Sequence, residues 1–181
     1  LNNTPKTDAE VTRRLKEAGA VFVGKLTTNE FACVGAPLGA PYPSPINPWN
    51  KDVITSGSSS GSAVAVAAEM IPLTLGTDTN GSIRSPAARC GIVGLKPTYG
   101  RISRRGVVPL SPSLDHVGPM TRSVRDNAIS LQILAGFDPL DPGSRNTPVP
   151  DFLRSINDGI EGLRVGFIRH IHADDPETEP D

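Results

Sequence analysis

Aromatic residues are scarce in this chain of 181 residues: five Phe, two Tyr and one Trp make up 4% of it. A packed core must therefore come from Val, Ile, Leu and Ala, which carry most of the 37% apolar share. Cysteine is scarcer still. Cys33 and Cys90 stand 57 positions apart, which excludes a disulfide framework and fits no zinc spacing. Both read as small buried hydrophobes. No apolar run approaches the roughly 20 residues that span a bilayer, and the opening "LNNTPKTDAE" is too polar for a secretory leader. The expectation is a cytoplasmic chain with no membrane partner. Neither sign of charge is in excess: 18 Lys and Arg against 19 Asp and Glu leave a net charge of -1. That gives no electrostatic reason to expect nucleic acid. Glycine and proline, by contrast, are abundant at 18 each, and predict tight turns and long ordered loops.

Periodicity places the regular elements. Residues 8 to 18 read as a helix with Val11, Leu15 and Ala18 on one face and Gly19 as its stop. Residues 20 to 26, "AVFVGKL", read as a buried strand. From 34 to 50 the prolines predict a loop that Tyr42, Ile46 and Trp49 could pin to a surface. "SGSSSGSAVAVAAEMI" is a Gly/Ser loop running into an Ala-rich helix, and 72 to 78 is a short strand. A strand and turn follow at 91 to 103. A helix with Ser123 as its N-cap covers 123 to 136, with Val124, Ala128, Leu131 and Ala135 sharing a face. Residues 163 to 169 form a last strand. Helices alternating with strands make the fold α/β.

Two serine-bearing turns stand out. "SGSSSGSA" has the composition of a flexible linker. It also leads into a helix N-terminus, where backbone N–H groups can hold an anion, although the GK[ST] ending of a phosphate loop is absent. Residues 57 to 61 match the nucleophile-elbow pattern G-x-S-x-G centred on Ser59, a weak signal in so Gly/Ser-rich a stretch. The second turn, "GTDTNGS", follows a strand. Its blander reading is a solvated turn fixed by Asp78 and Asn80. Its sharper reading is a nest of N–H groups around an oxyanion, with Ser82 at the mouth. The glycosylation sequons at Asn80 and Asn2 are discounted without a secretory signal. Asp115 and His116 are adjacent, a poor geometry for an orienting pair, and His170 and His172 have no evident third metal ligand.

Together the stretches resemble the amidase signature family. Residues 57 to 120, from "GSSSGSAVAVAAEMIPLTLGTDTNGSIRSPAARCGIVGLKPT" to "SLDHVGPM", carry that resemblance, and "LKEAGAVFVGKLTTNEFA" and "NPWN" extend it upstream. The resemblance implies an α/β fold with a mixed central β-sheet flanked by α-helices, and hydrolysis of a carboxylic amide by a Ser-cisSer-Lys triad. The nucleophile maps to Ser82. The bridging serine maps to Ser58, joined to Gly57 by a cis peptide, 24 residues before the nucleophile. The oxyanion hole maps to the N–H groups of Thr79, Asn80, Gly81 and Ser82. No metal or cofactor is implied. The implied partner is a small-molecule amide with no nucleic acid directly, and a homodimer is left open.

The physics of these roles is consistent. Serine at its ordinary pKa needs a base, and a lysine kept neutral by burial can serve. In the family that lysine lies in a segment like "PVAVKD". No such segment occurs in these 181 residues, and neither Lys25 nor Lys96 matches it. The chain therefore reads as an incomplete portion of a single amidase signature domain, without the lysine segment or the C-terminal half. Other departures are Thr55-Ser56 for a usual Pro-Gly, Asn80 for a frequent glycine, and Glu69 for a glycine at a helix end. Two rivals remain: the glutaminase component of a tRNA-dependent amidotransferase, and a non-catalytic module. "SLDHVGP" and "DPLDPGS" look more like general amidases than like that component.

Overall fold

The computed structural model describes residues 4–33 and 42–166. In chain order the elements are α1 (Glu10–Glu17), a 3-10 turn (Glu30–Ala32), α2 (Ser60–Ala67), β1 (Leu73–Asp78), α3 (Arg84–Arg89), β2 (Val93–Gly94), β3 (His116–Thr121) and α4 (Val124–Leu134). The described strands form a sheet of order β1-β3-β2, both pairings antiparallel. Helices cover it on two sides, as the α/β expectation requires.

Residues of β3 alternate between the faces. Val117 packs with Val11 and Leu15 of α1 and with Leu131, Leu134 and Ala135 of α4. Met120 points to the other face and packs with Ala63 of α2 and with Ile83, Ala87 and Cys90 around α3. Met120, Leu134 and Ile83 are fully buried, each worth about 1.5–3 kcal/mol relative to exposure. On the α2/α3 side, Gly76 of β1 sits directly opposite Gly118 of β3. A Cβ on Gly76 would come within 2.7 Å of Ser59 Oγ and 3.0 Å of Ile83 Cγ1. The missing side chains thus form a shelf on which the starts of α2 and α3 settle.

Local chemistry explains where the helices stop. Helix α1 ends at Gly19, with φ of 86°; the Gly19 N–H bonds the Lys16 carbonyl and the Ala20 N–H bonds that of Leu15. Helix α2 ends the same way with Glu69 in the glycine's place, at φ of 60°. Ser123 caps α4, its hydroxyl accepting from the Asp126 N–H at 3.1 Å.

Several expectations are corrected. Residues 20 to 26 are not a strand. No described strand lies beside them, and Val21 and Val23 are exposed. The α4 stripe is rotated: Asn127, Ser130, Leu131 and Leu134 face inward while Val124 is exposed. Ala18 is likewise exposed, because α1 closes just before it. The expected strand within 91 to 103 shrinks to two residues, since the chain turns away at Pro97. Residues 163–166 carry no strand, and the rest of that expected element, with His170, His172 and Asn2, lies outside the described residues. Cys90 is buried, which pushes its thiol pKa up. Cys33 is exposed, because the turn before it, with Phe31 and Ala32 at positive φ, carries it outward. In the part of the expected loop that is described, Trp49 is pinned as foreseen, its indole N–H donating to the Cys90 carbonyl at 2.8 Å. Its ring and the side chains of Tyr42 and Ile46 remain exposed.

Candidate active site

The Gly/Ser stretch is a fixed joint rather than a linker. The Gly57–Ser58 peptide is cis. The Ser58 carbonyl accepts from the Asn29 N–H at 3.1 Å and the Thr28 hydroxyl at 2.7 Å. Gly57 itself is pressed on the Asn29 amide, where a Cβ would lie 2.7 Å from Nδ2. Ser59 exchanges hydrogen bonds with the backbone of Thr77, accepting from its N–H at 3.2 Å and donating to its carbonyl at 3.3 Å. Ser62 donates to the Leu75 carbonyl at 2.8 Å. These hydroxyls satisfy the outward-facing groups of β1, an edge strand of the described sheet. Ser59 is thus tied down and buried, which rules out the exposed elbow nucleophile foreseen as a weak alternative. At the α2 N-terminus, where an anion site was open, the Ser59 and Gly61 N–H groups are already given to the Ser82 and Thr27 carbonyls, at 3.2 and 2.9 Å. Ser58 differs from its neighbours. It is 2% exposed, and its Oγ has no hydrogen-bond partner among the described residues.

The second turn is built on Asp78, the last residue of β1, which is 0% exposed. Its Oδ1 accepts from the Gly81 N–H at 2.7 Å, and its Oδ2 from the Ile83 N–H at 3.2 Å and Arg84 Nε at 3.0 Å. Lys96 Nζ lies 3.1 Å from Oδ1 and donates to the Thr79 carbonyl at 2.7 Å. Burial would raise the Asp78 carboxyl, but Arg84, the two N–H groups and Lys96 outweigh it and hold the carboxyl far below the usual range.

These bonds aim the turn. In a trans peptide the C=O and the N–H point in opposite directions. With the Thr79 carbonyl held by Lys96, the Asn80 N–H points the other way. With the Gly81 carbonyl accepting from the Ser85 N–H at 2.7 Å, the Ser82 N–H points away from α3. Gly81, at φ of 119°, supplies the backbone that makes this possible. Asn80, where the sequence raised a concern about a missing glycine, does not adopt positive φ; that conformation falls instead on Ser56, at 60°. The two serine stretches meet where the Ser59 N–H donates to the Ser82 carbonyl at 3.2 Å. Ser82 is half-buried and stands two residues before α3.

The blander reading of the second turn was half right: Asp78 does fix it, but buried, and without Asn80. Lys96, which does not match the family's catalytic lysine, instead holds the turn, and its contact with Thr79 has no sequence signal beyond "GLKPT". Asp115 and His116 do not form an orienting pair. Asp115 accepts from Thr79 Oγ1 at 2.5 Å, and His116 Nδ1 faces the Leu114 carbonyl at 2.7 Å. A cavity of about 250 Å³ lies beside this pair, between Val108, Leu110, Arg104 and Leu140, and does not reach Ser82. Among the described residues no three His, Cys, Asp or Glu side chains are grouped to hold a metal, and no helix is long and apolar enough to cross a membrane.

The family described as Amidase matches over residues 1–181. The A subunit of glutamyl-tRNA(Gln) amidotransferase from Roseiflexus sp. (strain RS-1) is 51% identical over 180 residues, covering 98% of this chain and 37% of the relative. Among solved structures, the protein of the same name from Thermotoga maritima superposes with a TM-score of 0.84 at 46% identity, covering 90% of this chain and 36% of the other. A peptide amidase from Stenotrophomonas maltophilia gives 0.72 at 45% identity, covering 80% and 31%. The chain thus spans about a third of the length of the curated relatives it matches. These findings correct one expectation. A partner set of one small-molecule amide, free of nucleic acid, does not stand, because relatives at about half identity are named as subunits of an enzyme of glutamyl-tRNA(Gln).

Proposed function

The chain belongs to the amidase family, and from that premise we propose that the whole protein, of which these residues are one part of a single amidase domain, hydrolyses a carboxylic amide through an acyl-Ser82 intermediate. It does so as the glutaminase component of a tRNA-dependent amidotransferase, releasing ammonia from glutamine. Ser82 Oγ attacks the amide carbon as its proton passes to Ser58 Oγ, whose own proton goes to a lysine amine. Lys6, Lys16, Lys25 and Lys51 are exposed, and Lys96 Nζ is committed to Thr79 and Asp78. The lysine of this mechanism is therefore none of these five and belongs to chain outside these 181 residues. The tetrahedral oxyanion is met by the N–H groups of Asn80 and Ser82; the Gly81 N–H, also expected there, is already given to Asp78. Collapse breaks the C–N bond, the proton returns to the departing nitrogen, and water releases the acid from Ser82.

The observation that carries this reading is the buried Ser58 hydroxyl, without a partner among the described residues and one residue from the bond that joins the two serine stretches. A buried hydroxyl left unpaired costs about 1–3 kcal/mol, so its retention favours a working role. The test is Ser82→Ala in the intact protein, with ammonia release from L-glutamine, acetamide and benzamide as the measurement. Turnover should fall to background; unchanged turnover sinks the assignment. A general amidase is the second reading, favoured by the likeness to the peptide amidase. Preference for acetamide or benzamide over glutamine in the same assay would select it.

A further inference from the structure

The register of β1 and β3 has a consequence for the turn that bears Ser82. Asp78 pairs with His116, so Thr79 and Asp115 are the next facing positions, just beyond the two strand ends. Their side chains meet there, Thr79 Oγ1 donating to Asp115 Oδ1 at 2.5 Å. The other carboxylate oxygen accepts from the N–H groups of Leu110 and Ser111, at 2.8 and 2.9 Å. Asp115 is 9% exposed. One carboxylate therefore fastens two things: the residue that begins the N–H turn, and the proline-flanked loop that walls the cavity beside it.

The opposite side of Thr79 is held as well, by Lys96 on its carbonyl. The plane of the Thr79–Asn80 peptide is fixed from the side chain and from the carbonyl at once. Releasing the hydroxyl frees rotation on the side facing the 110–115 loop and turns the Asn80 N–H off its aim. Asp78 still binds Gly81 and Ile83, so the fold of the turn survives while its first donor is misdirected.

We propose that Asp115 is a positioning residue for the acyl-transfer site, acting through the Thr79 hydroxyl to aim the Asn80 N–H. This rests on the reading of Ser82 as the nucleophile. A donor displaced by about 1 Å costs up to a hundredfold in rate, and the loss falls on the transition state rather than on substrate binding.

The experiment uses the intact protein, with ammonia release from L-glutamine, acetamide and benzamide. Thr79→Val removes the hydroxyl and keeps the shape; it should lower kcat by about tenfold to a hundredfold with KM within about threefold. Thr79→Ser, which keeps the hydroxyl, should restore kcat to within about threefold of the wild type. Asp115→Asn should lower kcat as Thr79→Val does, and the double variant should be no slower than the worse single one. Losses that multiply in the double variant, or a Thr79→Val enzyme as fast as the wild type, overturn the proposal. So does a rise in KM with kcat unchanged. Should Thr79→Val fail to fold, as judged by its melting transition, Asp115→Asn against the wild type and Thr79→Ser decides the question in the same terms. Ser82→Ala separates the two ideas. If it is inactive while Thr79→Val is fully active, only the positioning role falls. If it is active, the nucleophile itself is misassigned.

Discussion

Replacing Asp78 by Asn should both loosen the protein and stop its chemistry, and the sizes follow from the contacts. The carboxylate is fully buried and meets six donors on four residues: the N–H groups of Gly81, Ile83 and Arg84, two guanidinium nitrogens of Arg84, and Lys96 Nζ. Breaking a buried pair by neutralising one partner costs about 3–5 kcal/mol. The Arg84 side chain is 53% exposed and can turn to water, so it contributes little. Lys96 is only 20% exposed and cannot escape as easily. The lower end of the range, about 3 kcal/mol, is the expectation. Adding Lys96→Met to the Asp78→Asn variant removes the stranded ammonium while keeping its stem. It should recover part of the loss, since neutralising both partners is cheaper than neutralising one. Urea unfolding of the intact protein reads the stability. Ammonia release from L-glutamine, acetamide and benzamide reads the activity, which should drop by about a hundredfold or more because the turn carries Ser82. A loss under about 1 kcal/mol, or a double variant less stable than Asp78→Asn alone, would refute the claim that the charge pair holds this turn.

Glu10 links α1 to the loop after Ile102 by accepting from Arg13, Arg14 and Arg105. Chiefly through the Arg13 hydrogen bond, its carboxyl is lowered from 4.5 to about 2. Since the folded value lies below the unfolded one, the stabilisation is complete above about pH 4.5 and is lost as the pH falls toward 2; Glu10→Gln should therefore flatten the fall in stability across that window, read by urea midpoints from about pH 6 to about 2.5. Glu69→Gly should raise the urea midpoint by the equivalent of about 0.5–1 kcal/mol, because it relieves a left-handed Cβ and forfeits only a surface ion pair with Arg122, whereas Glu69→Ala, which keeps the Cβ, should bring no gain.

Elements with a local cause were legible in the sequence. Ser123 caps α4 and Gly19 ends α1 through bonds made within a few residues, so spacing alone reveals them. The strand β1 was legible because it is framed by Pro72 and the turn at Asn80-Gly81. What failed depended on distant neighbours. "AVFVGKL" has strand composition, but a strand requires a partner ladder, and composition does not say whether one lies alongside. The inward face of α4 follows Asn127, whose amide donates to the Pro119 carbonyl and Thr121 Oγ1 at 3.1 and 3.2 Å, a polar anchor that a search for apolar spacing passes over. Asp115 and Lys96 were hidden for the same reason. Each acts on Thr79 from at least 17 residues away in sequence.

The serines of "SGSSSGSA" show how far composition can mislead about one site. A linker of that composition is flexible because its hydroxyls and amides are all solvated. Here Ser59 and Ser62 are each assigned separately by what the sheet presents. Ser59 and Ser62 fall three apart at the start of α2, about one helical turn, while Thr77 and Leu75 fall two apart on β1, one pleat. The two periods bring two hydroxyls onto successive outward carbonyls of an edge strand. Ser58 lies just before the helix begins, out of that phase, and so is buried with no partner for its hydroxyl among the described residues. The same mismatch that stitches the helix to the strand leaves one hydroxyl unpaired among the described residues. The run of serines is therefore a register rather than a spacer, and the member to which the proposed mechanism gives the relay is the one the sheet does not pair.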